Sequence, residues 1–171
     1  QKDLQAKLVK SVSLTTRPKR PEERRGRDYI FVSPSQFRRA LREKKVLEWT
    51  NYLGYYYATP KDNLEKALKK GRHILLCLDF KGVRAVKKIY PRQTTPIFIM
   101  PPSLNELRQR IRRRCQKTRP QEVSLRLKRA EQELKAARCY EHRLLNKNLK
   151  ETTRRLKKII LDKIRNPITR R

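Results

Sequence analysis

A short segment near the start of the chain combines side chains that bind phosphate. Between Ser11 and Ser33 it carries five arginines, one lysine and one tyrosine, with apolar residues on both sides. The planar guanidinium of arginine presents paired N–H donors that match two oxygens of one phosphate, and a tyrosine hydroxyl adds another donor. The segment therefore predicts an anion site. Its composition does not say which anion is bound.

Positive charge is spread over the whole chain. The 171 residues contain 47 Lys and Arg against 16 Asp and Glu, a net charge of +31. Residues 1–102 carry 24 basic and 9 acidic side chains, and residues 103–171 carry 23 and 7. Self-repulsion at this level destabilises a compact fold unless a polyanion neutralises it. We therefore expect a nucleic-acid partner, and the alternative is the solvated basic surface of an ordinary enzyme.

Cysteine usage predicts neither a metal site nor a disulfide framework. Cys77, Cys115 and Cys139 are far apart and odd in number. This pattern indicates an intracellular, reducing compartment. No apolar run is long enough to span a bilayer, so no membrane partner is expected.

Apolar runs alternate with helical patterns along the chain. Residues 1–10 are compatible with the end of a helix, and short strands are predicted around 11–16 and 28–33. Two further strands turn near Gly54, and buried parallel strands are predicted at "HILLCLDF" and "TPIFIM". A helix is predicted from Ser33 or Ser35 to Lys44, and another from Asp62 or Asn63 to Gly71. Further helices are predicted over 83–89 and 104–114, from Pro120 to about Tyr140, and near the C-terminus. The alternation favours an α/β fold with a parallel sheet.

Five segments together resemble the guanylate kinase family. They follow one another in the order and spacing of that family from Ser11 to about Arg165: "SVSLTTRPKRPEERRGRDYIFVS", "LEWTNYLGYYYATP", "LDFKG", "PPSLNELRQRIRRR" and "LRLKRAEQEL". The resemblance implies a P-loop-NTPase-like parallel sheet flanked by helices, with an inserted mixed β lobe of the GMP-binding type and a helical lid. It implies one domain over 1–171, with the lobe at 11–72, core strands at 73–103, the lid-like basic helix at 104–126 and core helices at 127–171.

The resemblance also implies roles for individual residues. The phosphate of GMP would be bound by Arg17, Arg20, Tyr29 and Tyr57. The base would be recognised by Ser13, Glu48 and Thr59, with Asp79 facing the substrate. Arginines of the lid and its neighbouring helix would reach the phosphates of ATP: Arg110, Arg114 and Arg126.

One element of the family's enzymes is not found in this sequence. Those enzymes begin with a strand and a GxxxxGK[ST] loop that holds the ATP phosphates and magnesium. None of the four glycines here belongs to such a loop. We therefore expect the first strand and the P-loop to be absent, GMP to be the one plausible nucleotide, and ATP and Mg²⁺ not to be used, leaving no catalytic residue.

Other departures replace acids or neutral residues of the family pattern. Cys77 and Lys147 stand at positions where the family has acids, and Lys81 replaces a glutamine. Loss of acids and gain of basic residues favour a surface that contacts the phosphates of a nucleic acid.

These observations lead to one main hypothesis. We expect a catalytically inactive relative of the guanylate kinases that binds RNA as a structural component of a ribosome. Its partners would be rRNA and ribosomal proteins. The ribosome would be that of a mitochondrion or plastid, or otherwise cytoplasmic. The expected RNA contacts are Arg108, Arg112, Arg113, Lys117, Arg119, Arg154, Arg155, Lys157 and Lys158.

Two alternatives remain open. The first is a guanylate kinase, which converts ATP and GMP to ADP and GDP, seen without its P-loop segment. The second is a kinase-dead scaffold domain that binds phosphopeptides through the former GMP site.

Overall fold

The computed structural model describes residues 8–114 and 120–166. The chain forms two compact units, Gln1–Pro91 and Arg92–Arg171. The boundary between them falls inside the predicted core-strand segment 73–103, and the single-domain organisation stays a prediction. Each unit is described by itself.

A mixed four-stranded sheet dominates the first unit. Its strands are β2 (Leu14–Thr15), β3 (Ile30–Phe31), β4 (Val46–Tyr52) and β5 (Tyr55–Pro60), in the order β3-β2-β5-β4. β2 pairs parallel with β3, and β5 pairs antiparallel with both β2 and β4. This sheet is the predicted inserted lobe.

The β4–β5 hairpin has a two-residue turn that needs left-handed backbone. Leu53 and Gly54 both have positive φ, 52° and 83°, between the paired residues Tyr52 and Tyr55. Positive φ at both central residues matches the right-handed twist of the flanking strands. The amide of Gly54 also donates to Oδ1 of Asn51 at 3.1 Å. The turn therefore fixes the register of the two longest strands.

The helices of the first unit begin where the sequence provides caps. α1 (Pro34–Arg42) starts after Ser33, whose hydroxyl accepts from the amide of Gln36, while the Gln36 side chain accepts from the amide of Ser33. α2 (Lys61–Lys69) follows β5 directly. α3 (Phe80–Ile89) is capped by Asp79 and starts three residues before the predicted position, because the carboxylate binds the amide of Gly82.

A short parallel pair completes the first unit. β1 (Leu8–Lys10) pairs with β6 (His73–Leu75). The predicted helix end at residues 1–10 is wrong where the structure describes it, because Leu8–Lys10 is a strand; residues 1–7 lie outside the described residues. The predicted long strand "HILLCLDF" is also shorter, since the pairing ends at Leu75 and the next residues lead into the cap of α3.

The second unit contains another parallel pair and three helices. β7 (Ile97–Met100) pairs with β8 (His142–Leu145). The helices are α4 (Leu104–Arg114), α5 (Pro120–Ala136) with a 3₁₀ turn at Ala137–Cys139, and α6 (Leu149–Arg165). Its core includes Val123, Leu127 and Leu144, and the ring of Phe98 meets Tyr140 edge-on at 5.0 Å. The predicted α/β class with parallel strand pairs is confirmed.

Phe37 anchors α1 to the four-stranded sheet. Its side chain is 2% exposed, and its ring stacks on Tyr56 with centroids 5.3 Å apart. Phe37→Ala should lower the free energy of unfolding by about 3–5 kcal/mol, because it leaves a cavity under the helix. Urea unfolding should show a lower midpoint at an unchanged slope.

The matched control for this substitution is Ile89→Ala, at an apolar helix residue that is 50% exposed. It should change the free energy of unfolding by no more than about 0.5 kcal/mol. Equal losses for the two variants would contradict the role given to Phe37.

Candidate functional site

The arginine-rich loop between β2 and β3 holds Arg17 in one defined orientation. Its Nη2 donates to Oε1 of Glu23 at 2.6 Å, and its Nη1 donates to the carbonyl of Pro18 at 2.7 Å. The guanidinium carbon lies 5.5 Å from the ring centroid of Tyr29, within cation–π range. Burial opposes the charge of Arg17, but hydrogen bonds with Glu23 and Tyr57 outweigh it and raise its pKa. The group therefore stays cationic at any ordinary pH.

Tyrosines form one wall beside this guanidinium. Tyr57 lies on β5 opposite Thr15 of β2, the strand that leads into Arg17. The ring of Tyr57 contacts Tyr29 edge-on at 5.9 Å and Tyr52 at 6.4 Å. Arg20, also predicted for the phosphate, is half-buried in the same loop. Three of the residues predicted to bind the phosphate are thus in mutual contact: Arg17, Tyr29 and Tyr57.

Two carboxylates lie close together where α3 begins beside β4: Glu48 on β4 and Asp79 at the cap of α3. Glu48 is 8% exposed, and its Oε1 accepts from the hydroxyl of Thr59 at 2.6 Å. Asp79 accepts from the hydroxyl of Thr50 at 2.8 Å and from the amide of Gly82 at 2.8 Å. Burial raises the pKa of Glu48, and the charge of Asp79 adds to that increase. The two acids are therefore close enough to influence each other.

Gly82 sets how closely Glu48 approaches α3. A Cβ atom at this position would lie 2.9 Å from Oε2 of Glu48 and 3.2 Å from Cβ of Leu78. Side-chain carbons in real proteins do not come that close to an oxygen. The first turn of α3 therefore accepts the buried carboxylate only because residue 82 has no side chain.

The remaining predicted base contact lies at the edge of this group. Ser13 directly precedes β2, is half-buried, and accepts from the amide of Ile30 through its carbonyl at 2.9 Å. Thr59 is 1% exposed and faces Glu48 across the β4–β5 pair. The structure thus brings Glu48, Thr59 and Asp79 together, with Ser13 just before β2, the strand next to β5.

The predicted lid arginines lie in the second unit. Arg110 donates from Nε to Oε1 of Glu106 at 2.8 Å and from Nη2 to the carbonyl of Asn146 at 3.1 Å. Arg126 donates to Oε1 of Glu122 at 2.6 Å. The side chain of Arg114 is outside the described residues. Both described lid arginines therefore have acidic partners one helical turn away.

The cations predicted to contact RNA are exposed on two helices. On α4 they are Arg108, Arg112 and Arg113, and on α6 they are Arg154, Arg155, Lys157 and Lys158. Lys117 and Arg119 lie outside the described residues. Among the residues that the structure describes, no group of His, Cys, Asp or Glu could hold a metal ion. No helix in that same part of the chain has the length and apolar composition needed to cross a membrane.

Sequence reasoning missed the role of two residues, Glu23 and Gly82. The sequence analysis assigns no role to Glu23, although an acid inside a basic run is a signal for an internal ion pair. Gly82 enters the sequence analysis only as part of "LDFKG". A glycine in the first turn of a predicted helix suggests a close approach by a neighbouring group.

Comparisons with known proteins identify relatives over most of the chain. A family model described as guanylate kinase matches residues 2–163. The chain is 37% identical over 155 residues to the guanylate kinase of Bartonella henselae, which is 91% of this chain and 69% of that relative. It is 39% identical over 145 residues to the guanylate kinase of Thermosynechococcus vestitus, which is 85% of this chain and 75% of that relative.

A solved structure agrees with these relatives. The crystal structure of guanylate kinase from Anaplasma phagocytophilum matches with a TM-score of 0.80 and 32% sequence identity, over 98% of this chain and 80% of that one. The predicted guanylate kinase fold is thereby confirmed.

The same relatives overturn the main functional hypothesis. Proteins 37–39% identical over most of this chain are guanylate kinases, not ribosomal or RNA-binding proteins. The prediction of an inactive RNA-binding ribosomal component is therefore wrong, and so are its rRNA and ribosomal-protein partners. A mitochondrial or plastid ribosome loses its support with them. High positive charge alone indicates an attraction to anions, which an enzyme of nucleotide phosphates shares.

The family assignment depends on a match that runs through the anion-binding loop, the tyrosine-rich strands and the helices of the second unit. It is supported by sequence and by fold independently. The chain belongs to the guanylate kinase family.

Proposed function

We propose that the protein is a guanylate kinase, which transfers the γ-phosphoryl group of ATP to GMP. One observation carries the proposal. Tyr57 forms a hydrogen bond with Arg17, and Thr59, two residues along the same strand, donates to Glu48. Alternate residues of a strand face the same side at a spacing of roughly 7 Å. The residues proposed to bind the phosphate and the acid proposed to bind the base thus contact side chains on one face of β5.

The two ends of this face suit the two ends of GMP. The guanidinium groups of Arg17 and Arg20, with the hydroxyls of Tyr29 and Tyr57, would bind the phosphate. The Glu48 carboxylate would accept from the N–H groups on the Watson–Crick edge of guanine. Adenine presents an acceptor at the corresponding ring nitrogen, so a buried carboxylate there would disfavour AMP.

Phosphoryl transfer then requires neutralisation of the donor phosphates. It depends almost entirely on positioning and on charge stabilisation. Arg110, Arg114 and Arg126 are the residues proposed to approach the ATP phosphates, and Mg²⁺ would neutralise the β- and γ-oxygens when bound. The 171 residues contain no GxxxxGK[ST] loop. The ATP side of the proposal therefore rests on family membership.

A coupled assay of ADP release tests the proposal on the full-length gene product. ATP and Mg²⁺ with GMP should give turnover, whereas AMP should give a kcat/KM at least about 100-fold lower, because its base cannot satisfy Glu48. Calorimetric titration with GMP alone should show binding. Binding of GMP without ADP release would contradict kinase activity and leave only the nucleotide site.

Glu48→Gln should raise the stability of the fold and weaken the binding of GMP. Because burial holds the folded pKa of Glu48 above its unfolded value, ionisation lowers the stability of the fold as pH rises. The neutral amide removes that loss and can still accept from Thr59. At pH 7 the midpoint of thermal unfolding should rise by about 2–4 °C, the shift given by about 1 kcal/mol in a chain of this size.

The affinity of this variant for GMP should fall by about 100-fold, because the amide NH₂ group would face one of the two guanine N–H donors from which a carboxylate can accept. At pH 4, below the ordinary pKa of glutamate of about 4.3, the carboxyl is mostly protonated in both states, and most of the stability gain should disappear. An equal gain at both pH values would show that burial of the charge is not its cause.

Gly82→Ala should weaken GMP binding although alanine is the better helix former. The new Cβ would displace the Glu48 carboxylate by a few tenths of an ångström from the position in which Thr59 holds it. We expect the KM for GMP to rise by about tenfold, with little change in the KM for ATP. Lys81→Ala is the control, since residue 81 is exposed on the same helical turn. An unchanged KM for GMP in Gly82→Ala would contradict the close-packing argument.

A further inference from the structure

Glu23 is an acid held inside the arginine-rich loop. Its side chain is 10% exposed, and that of its partner Arg17 is 12% exposed. One carboxylate oxygen accepts from Nη2 of Arg17 at 2.6 Å, and the other accepts from the amide of Arg20 at 2.9 Å. Burial by itself would raise the pKa of Glu23, but these two bonds lower it. The group is therefore an anion at neutral pH.

The backbone of Glu23 also closes the loop. Its amide donates to the carbonyl of Arg20 at 3.1 Å, and its carbonyl accepts from Nζ of Lys19 at 3.0 Å. Side chain and backbone together thus tie residue 23 to Arg17, Lys19 and Arg20. One residue connects both arginines that the proposed function assigns to the phosphate.

Balancing the positive charge of the loop does not by itself explain a carboxylate beside two arginines proposed to bind phosphate. By its charge alone it would repel an incoming phosphate across a short distance. A guanidinium has five N–H donors on three nitrogens, so one edge can bind a carboxylate while another edge meets a ligand. An arginine side chain that is fixed in advance loses little rotamer entropy when the ligand arrives.

We propose that Glu23 is a positioning residue for the GMP phosphate. It holds the guanidinium of Arg17 against the Tyr29 ring and fixes the turn that carries Arg20, without touching the substrate itself. This role rests on the proposed function, because it assumes that the two arginines bind a nucleotide phosphate. A simple counter-charge would have the opposite effect, since its removal would strengthen phosphate binding.

The test compares Glu23→Ala and Glu23→Gln with the control Glu22→Gln. Glu22 is the exposed neighbouring acid, so its substitution makes the same change in net charge. Glu23→Gln keeps one acceptor oxygen and the shape of the side chain, and it remains informative if Glu23→Ala fails to fold. Affinities for GMP and for guanosine, which lacks the phosphate, are measured by calorimetry and NMR titration.

Glu23→Ala should weaken GMP binding by about tenfold, the loss expected when a charge-assisted hydrogen bond no longer orients the arginine. Its affinity for guanosine and its KM for ATP should be unchanged. Glu23→Gln should show a smaller loss of the same kind, and Glu22→Gln should show none. This pattern would support a role that acts through the phosphate alone.

Two results would overturn the role of Glu23 while leaving the proposed function intact. One is wild-type GMP affinity, or tighter binding, in a folded Glu23→Ala variant. The other is an equal loss of GMP and guanosine affinity, which would indicate general damage to the lobe. Failure of the wild-type protein to bind GMP is a different result, because it would overturn the proposed function and this role with it.

Discussion

The buried hydrogen bond between Glu48 and Thr59 links the fold of the first unit to its candidate site. An ionised carboxylate is unfavourable in a buried position unless hydrogen bonds compensate for the lost water. The compensation here comes from the strand directly opposite, because Glu48 and Thr59 are paired residues of β4 and β5. The pair exists only in one register of the hairpin. That register is fixed by the turn at Leu53 and Gly54, so the turn and the carboxylate depend on each other.

From this pair the rest of the site follows by strand geometry. Tyr57 faces the same side of β5 as Thr59, and β2 lies next to β5 with Thr15 opposite Tyr57. The chain leaves β2 into the loop of Arg17, so the loop begins beside the tyrosine that it contacts. The order of the strands thus brings an acid and an arginine from distant parts of the sequence onto one surface. The site is built on a sheet, with its most charged residues in a loop that is tied to it.

The sequence was informative about the fold and about residue types, and misleading about the partner. The resemblance predicted the family and the inserted lobe, and it implied that Ser13, Glu48 and Thr59 contact the base, with Asp79 facing the substrate. Net charge could not separate a polyanion partner from a small phosphate substrate, since both attract cations. Glu23 in a basic run and Gly82 at the start of a helix are signals of close contacts. Their partners could not be predicted, because they depend on how the loop folds back and how close α3 lies to β4. β1 was predicted as a helix end for a similar reason, since its pairing partner β6 lies far along the sequence. The start of α3 was misplaced although its cap, Asp79, is a local signal.

The position of Asp79 at the start of α3 affects the charge balance beside Glu48. Its carboxylate caps α3, so its charge is balanced by a backbone amide and by the partial positive charge at the start of a ten-residue helix. A lysine or arginine in that place could swing away or compete with the nucleotide for Glu48. A peptide dipole has no such freedom. Two acids can therefore stay close together where α3 begins beside β4, and the balancing charge keeps its place whether or not a base lies against them.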